Sequence, residues 1–288
     1  MKRKISRTWL LSAAAPRSDQ AFTRIELLVV VVTIAMLSGL LLTARARPDD
    51  NGARMVCINN LRQMGLAVKM YAGDNNDYLA WPNWEGSGAT TPGWLYTKNA
   101  NGVAGIPNPK DTVHFPGDAA WKTGLWYQYV QNPKAYLCPV DIESPTYKQN
   151  QRPNMLSSYI MNGASAGFPE PVSRNHNNTC KITDVWSPAC YLMWEPDEYM
   201  TSSGVHALGP NIMRFDDGSD IPSAPPNGYA GLGWMHSVNG DEMLSVGGDV
   251  KFVTMLQFKA DSNTSSGRGP GPGGMTYLWW SPFSSDGH

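Results

Sequence analysis

Charge is scarce in this chain: Asp, Glu, Lys and Arg make up 16% of 288 residues, and 23 basic residues nearly cancel 24 acidic ones. Such a balance argues against a nucleic-acid polyanion as the main partner. Cysteine is limited to four positions, Cys57, Cys138, Cys180 and Cys190, with no C-x-x-C spacing. That argues against a zinc ribbon or a thioredoxin-like site. The five histidines, His114, His176, His206, His236 and His288, form no H-E-x-x-H and no close pair. One G-x-S-x-G stretch occurs at Gly163–Gly167, but Phe168-Pro169-Glu170-Pro171 follows it where a nucleophile elbow needs a helix. No catalytic residue, no metal ligand and no internal repeat is therefore assigned, and the chain reads as a non-enzyme.

What is abundant is glycine (28), proline (22) and tryptophan (11), the composition of a loop-rich domain pinned by aromatics. The one long apolar run is Leu27–Ala44, interrupted by Thr33, Ser38, Gly39 and Thr43. As a helix it rises about 27 Å, close to a bilayer core. Lys2, Arg3, Lys4, Arg7, Arg17 and Arg24 precede it, and Arg45, Arg47, Arg54 and Arg62 follow. That bias predicts a cytoplasmic N-terminus and an extracytoplasmic remainder. Glu26 sits at the edge of the run, where a lone carboxylate is costly without a partner.

The stretch Ala21-Phe22-Thr23-Arg24-Ile25-Glu26, followed by this run, resembles the class III signal of type IV prepilins and type II secretion pseudopilins. The resemblance implies that a prepilin peptidase cuts after Ala21 and methylates the new amine of Phe22. It also implies that Glu26 pairs with the N-terminal amine of a neighbouring subunit during assembly. Two positions depart from the family pattern: Ala21 replaces the usual Gly, and Arg24 the usual Leu. The leader holds five of the 23 basic and one of the 24 acidic residues, leaving the mature part net −5.

Past the anchor, Cys57, Leu61, Met64, Val68 and Tyr71 recur at helical spacing and predict an amphipathic helix over about 53–71, its stripe facing the core. Cys57-Ile58-Asn59-Asn60-Leu61-Arg62-Gln63-Met64-Gly65-Leu66 resembles the post-anchor helix of G-type pseudopilin-like proteins. Cys138-Pro139 with Ser158-Tyr159-Ile160-Met161-Asn162 resembles the same family. Gly73-Asp74-Asn75-Asn76-Asp77 reads as a terminating turn. Short strands are expected at 157–163 and 190–195, a hairpin at 243–253 turning on Gly247-Gly248-Asp249, and an aromatic C-terminal pin at 277–280. Relatives carry Asp-Gly-His-Val at that turn, preceded by a histidine. Here the turn reads Gly248-Asp249-Val250 and the upstream histidine is His236.

Four cysteines in an exported domain fit two disulfides in any of three connectivities, with Cys180–Cys190 as a local clip and Cys57–Cys138 as a long tie the favoured pair; four buried thiols are the alternative. No cofactor is expected. Calcium stays open, with no ligands assigned, at turns such as 73–77 and 216–220.

The organisation expected is a leader at 1–21, a transmembrane assembly helix at 22–47, a second helix at 48–76 and a β-rich extracytoplasmic domain at 77–288. The fold class implied is α+β: a long hydrophobic N-terminal helix packed on a small antiparallel sheet. The function implied is that of a pseudopilin or minor-pilin-like subunit in the inner membrane, later in a filament. Its partners are the prepilin peptidase and other pilin subunits. A second reading is an anchored surface protein that binds polysaccharide through aromatics such as Trp81, Trp84, Trp94 and Tyr96.

Overall fold

The computed structural model describes residues 24–25, 27–33, 50–84, 91–98, 118–149, 151–152, 154–167, 179–197, 218–222, 231–262 and 269–288. The chain divides into two compact units, Met1–Arg47 and Pro48–His288. In the first, residues 24, 25 and 27–33 are helical and exposed. Ala21, Phe22 and Glu26 lie outside the described residues.

The second unit begins with helix α1, Asp50–Asp74. Its buried face carries Cys57, Leu61, Met64 and Val68, as the spacing predicts, joined by Ala53, Asn60, Ala67 and Ala72. Tyr71 is half-buried. The helix ends where Asn76 and Asp77 take left-handed backbone, at φ 56° and 71°. The Asp77 N–H closes onto the Ala72 carbonyl at 2.8 Å. The side chains of this turn are committed to the protein: Tyr129 donates to Asp74 Oδ2 at 2.8 Å, and Thr183 donates through N and Oγ1 to Asp77 Oδ2.

Five strands form one sheet: β1 Ile160–Asn162, β2 Tyr191–Trp194, β3 Ser219–Asp220, β4 Gly240–Ser245 and β5 Val250–Thr254, in the order β3-β1-β2-β4-β5. The hairpin is β4–β5, antiparallel with Gly240 opposite Thr254 and Leu244 opposite Val250. Gly248 supplies the positive φ of its turn at 87°. Three further short helices are α2 Tyr127–Val130, α3 Pro145–Lys148 and α4 Met255–Ser262.

Two parts of the expected fold are corrected. No helix among the described residues is long and apolar enough to cross a membrane, and the helix against the sheet is α1, which carries Arg54, Arg62 and Lys69. The sheet is also mixed rather than antiparallel, because β3 pairs parallel with β1. β2, on the other side of β1, is antiparallel to it, so β1 carries one neighbour of each orientation. Helix α1 lies in the same compact unit as the sheet, Pro48–His288.

The core is dense in aromatics. Trp94, Trp126, Trp194 and Trp280 are all fully buried. The C-terminal residues are pinned as the sequence predicts: Trp280 Nε1 donates to the Tyr191 carbonyl at 2.9 Å, Trp279 Nε1 to Ser262 at 3.0 Å, and Asn162 Nδ2 to Leu278 at 2.9 Å. Trp81, Trp94 and Tyr96 are buried too, so these rings pack rather than present a face to a sugar. Ser165 is fully buried in a 3-10 turn and donates to the Asn162 carbonyl at 3.2 Å.

Candidate metal centre

Four side chains from distant parts of the second unit converge in its interior. Cys57, Cys138, Glu195 and His236 bring one ligand atom each to within 4.8 Å of one another. Each is delivered by a different element.

Cys57 lies on the buried stripe of α1, where 3.6-residue periodicity aims it at the sheet. Cys138 follows the 3-10 turn Pro133–Tyr136, which Asn132 caps by accepting from the Lys134 N–H at 3.2 Å. Its own N–H donates to Ser158 Oγ at 2.9 Å, and the Ser158 hydroxyl donates to Asp141 Oδ2 at 2.5 Å. Asp141 in turn takes Arg152 Nη1 at 2.7 Å and Nη2 alongside it, and both residues are fully buried. A bidentate pair at the interior end of this chain holds the Cys138 loop in one place.

Glu195 is the residue after β2, and His236 lies in the loop before β4. Pairing of 195–197 with 231–233 joins them: the Gly233 N–H donates to the Glu195 carbonyl at 2.8 Å, and the Asp197 N–H to Gly231 at 3.1 Å. A Cβ at Gly233 would stand 2.9 Å from the Glu195 carbonyl oxygen, so the close approach requires glycine.

The geometry centres on one nitrogen. His236 Nε2 lies 3.2 Å from Cys57 Sγ, 3.4 Å from Cys138 Sγ and 3.7 Å from Glu195 Oε1. A ring nitrogen has one lone pair or one N–H, so it can satisfy one such neighbour, not three. Neither Glu195 oxygen accepts a hydrogen bond, and His236 Nδ1 has no partner either. The Glu195 and His236 side chains are 3% and 1% exposed. Asp241 on β4 is buried nearby, with Oδ1 accepting from the Glu242 N–H at 2.8 Å and Oδ2 unpartnered. Its neighbour Glu242 is paired with Arg54, at 2.9 Å from Nε.

Electrostatics show what the cluster lacks. Burial pushes the Cys138 thiol up, aided by its bond to Cys57 and the charge of Glu195. The contact with Cys138 pulls Cys57 down, but burial and Glu195 outweigh it and leave that thiol raised. Burial works against the His236 imidazolium, yet its contacts with Cys138 and Glu195 push it up to about 11. Burial and Glu195 likewise raise the Asp241 carboxyl. The cluster is rich in groups that become anions and poor in cations. Tyr159 lies beside it: its buried hydroxyl takes an N–H from Asn60 at 3.2 Å.

All four cysteines are free and buried, so neither favoured disulfide, Cys57–Cys138 nor Cys180–Cys190, is formed. The structure does bring Cys57 and Cys138 together, as thiols sharing a site with an imidazole and a carboxylate. Cys180 and Cys190 lie outside it; the Cys180 N–H bonds the Ser165 carbonyl and the Cys190 N–H that of Ser187. Reading the sequence assigned no metal ligands and did not group Glu195 and His236 with the two cysteines. The one available signal was the upstream histidine of the resembled hairpin. The hairpin residue Asp249 is exposed on its turn and takes no part. His114, His176 and His206 lie outside the described residues. Comparison with known proteins finds no matching family model, no matching curated protein and no matching solved structure.

Proposed function

We propose that this chain is a pilin- or pseudopilin-like structural subunit, anchored in the inner membrane and assembled with like subunits after cleavage before Phe22. The observation that carries the reading is the stretch Ala21–Val30 at the head of an 18-residue apolar run, with one carboxylate, Glu26, at its boundary. Cleavage after Ala21 leaves that run on the mature chain. A new amine then faces a neighbour's Glu26, and each charge offsets the other at the membrane edge.

The outer face of α1 supports the same reading. Met55, Leu66 and Met70 share that face and are 58%, 62% and 53% exposed, flanked by Arg62 and Lys69. Apolar side chains on a helix already buried along its other side suit packing against a second helix.

The test is peptide mass spectrometry on the chain recovered from membranes of cells that co-express a prepilin peptidase. A methylated Phe22 is the expected N-terminus, with Glu26→Ala leaving cleavage intact and abolishing co-assembly. An intact leader, or a cut elsewhere, overturns the proposal.

A further inference from the structure

We infer that Cys57, Cys138, Glu195 and His236 are the four ligands of a closed, structural zinc-type site that staples helix α1 to the sheet and its loops. The inference goes beyond the subunit reading and does not depend on it.

Distances come first. A tetrahedral zinc holds sulfur at about 2.3 Å, imidazole nitrogen at about 2.05 Å and carboxylate oxygen at about 2.1 Å, which sets S···N edges near 3.5 Å and N···O edges near 3.4 Å. The observed edges are 3.2 and 3.4 Å from His236 Nε2 to the two sulfurs and 3.7 Å to Glu195 Oε1. The cluster is already close to the edges of the coordination polyhedron. Hydrogen bonding leaves the cluster incomplete, since one Nε2 cannot serve three heteroatoms and neither buried Glu195 oxygen has a hydrogen-bond partner.

Chemistry selects the ion. Two thiolates and an imidazole favour a borderline-soft metal, while calcium and magnesium take oxygen ligands. Four protein ligands fill a tetrahedron and leave no open position for water or substrate, so the site is structural rather than catalytic. On binding, Cys57 and Cys138 each release a thiol proton to solvent, and a protonated His236 releases its Nε2 proton as well. His236 then coordinates through Nε2 as neutral imidazole with its proton on Nδ1, and Glu195 binds as carboxylate. Two thiolates and one carboxylate against a divalent cation leave a single net negative charge.

The ligands also span the unit. Cys57 comes from α1, Cys138 from the loop that Asp141 and Arg152 hold, Glu195 from the end of β2, and His236 from the approach to β4. One ion therefore ties four segments.

The experiment uses the full chain, purified in detergent under reducing conditions from zinc-supplemented cells. Elemental analysis is expected to find about one zinc per chain. Cobalt(II) exchanged into the same protein is expected to show intense tetrahedral d–d bands and thiolate-to-cobalt charge transfer. Cys57→Ser should remove part of the charge transfer, and Glu195→Gln should shift the d–d bands while the circular dichroism of the fold is retained. Cys180→Ser and Cys190→Ser should leave zinc content unchanged. The inference is overturned if the wild-type chain takes up no zinc or cobalt, if cobalt binds without charge transfer, or if Cys57 and Cys138 are recovered as a disulfide. The cobalt spectrum of the wild-type chain keeps the test decisive even where a ligand variant does not fold.

Discussion

Cys57 on α1 and His236 before β4 stand 179 positions apart in the sequence, yet their Sγ and Nε2 lie 3.2 Å apart in the interior. That contact links the chain's one long described helix to its sheet through chemistry rather than through apolar packing alone. A metal held there binds the native state and not the unfolded chain. At a free zinc concentration of about a thousand times Kd it adds roughly 4 kcal/mol. Chelation should accordingly lower the melting temperature of the full chain, and zinc should restore it, as read by calorimetry. Hydrogen exchange should show α1 amides losing protection first. No change on chelation of a zinc-loaded sample would contradict this.

Arg152 and Asp141 are both fully buried and bonded to each other. Breaking such a pair from one side strands a charge and costs about 3–5 kcal/mol. Arg152→Met is expected to fall in that range by urea denaturation, and Asp141→Asn to be milder because its oxygen still accepts from Ser158. The double variant Arg152→Met, Asp141→Leu should regain part of the loss. An equal or larger loss in the double variant would show that the loop does not depend on the pair.

Leu61 and Leu66 separate the two faces of α1. Leu61 is 1% exposed and Leu66 62% exposed. Leu61→Ala should cost about 2–5 kcal/mol, whereas Leu66→Ala should stay within about 0.5 kcal/mol. If the outer face packs against another subunit, Leu66→Glu should leave the melting temperature nearly unchanged and reduce cross-linked oligomers in membranes. Equal oligomer yield would remove the outer face from the assembly proposal.

Asp261 offers a pH test away from the metal cluster. Burial raises its carboxyl, with Gln257 Nε2 at 3.0 Å opposing the shift. A carboxyl raised in the folded state binds its proton more tightly there than in the unfolded chain. Its contribution is fully present below the ordinary Asp pKa and is lost as pH rises through the raised value. Asp261→Asn should flatten that part of the stability profile above pH 4 in urea titrations. Parallel profiles for the two proteins would rule the effect out.

Several elements were legible locally because their signals are local. The 57-61-64-68 stripe marked the buried face of α1, and Gly247-Gly248-Asp249 between β-rich runs marked the hairpin. The aromatics at 277–280 marked the C-terminal pin through their number and position. Around Cys138 the fold gives Ser158 a role: it carries the Cys138 N–H on one side and Asp141 on the other. The stretch 73–77 marked the end of α1, and within it Asn76 and Asp77 take the left-handed turn.

The sequence by itself determined the apolar run with its boundary acid, the face α1 buries, the hairpin and the presence of four cysteines in a chain of low charge. Only the tertiary structure decided that two of those cysteines meet a histidine and a carboxylate as free thiols rather than forming a disulfide. Glu195 and His236 have no motif, since their meeting depends on the pairing of 195–197 with 231–233 and on the Arg152–Asp141 anchor of the Cys138 loop. Likewise the parallel pairing of β3 with β1 is a relation between strands that no single segment encodes. Periodicity reports which way a residue faces. Which residues it faces is set by the packing of segments far apart in the chain.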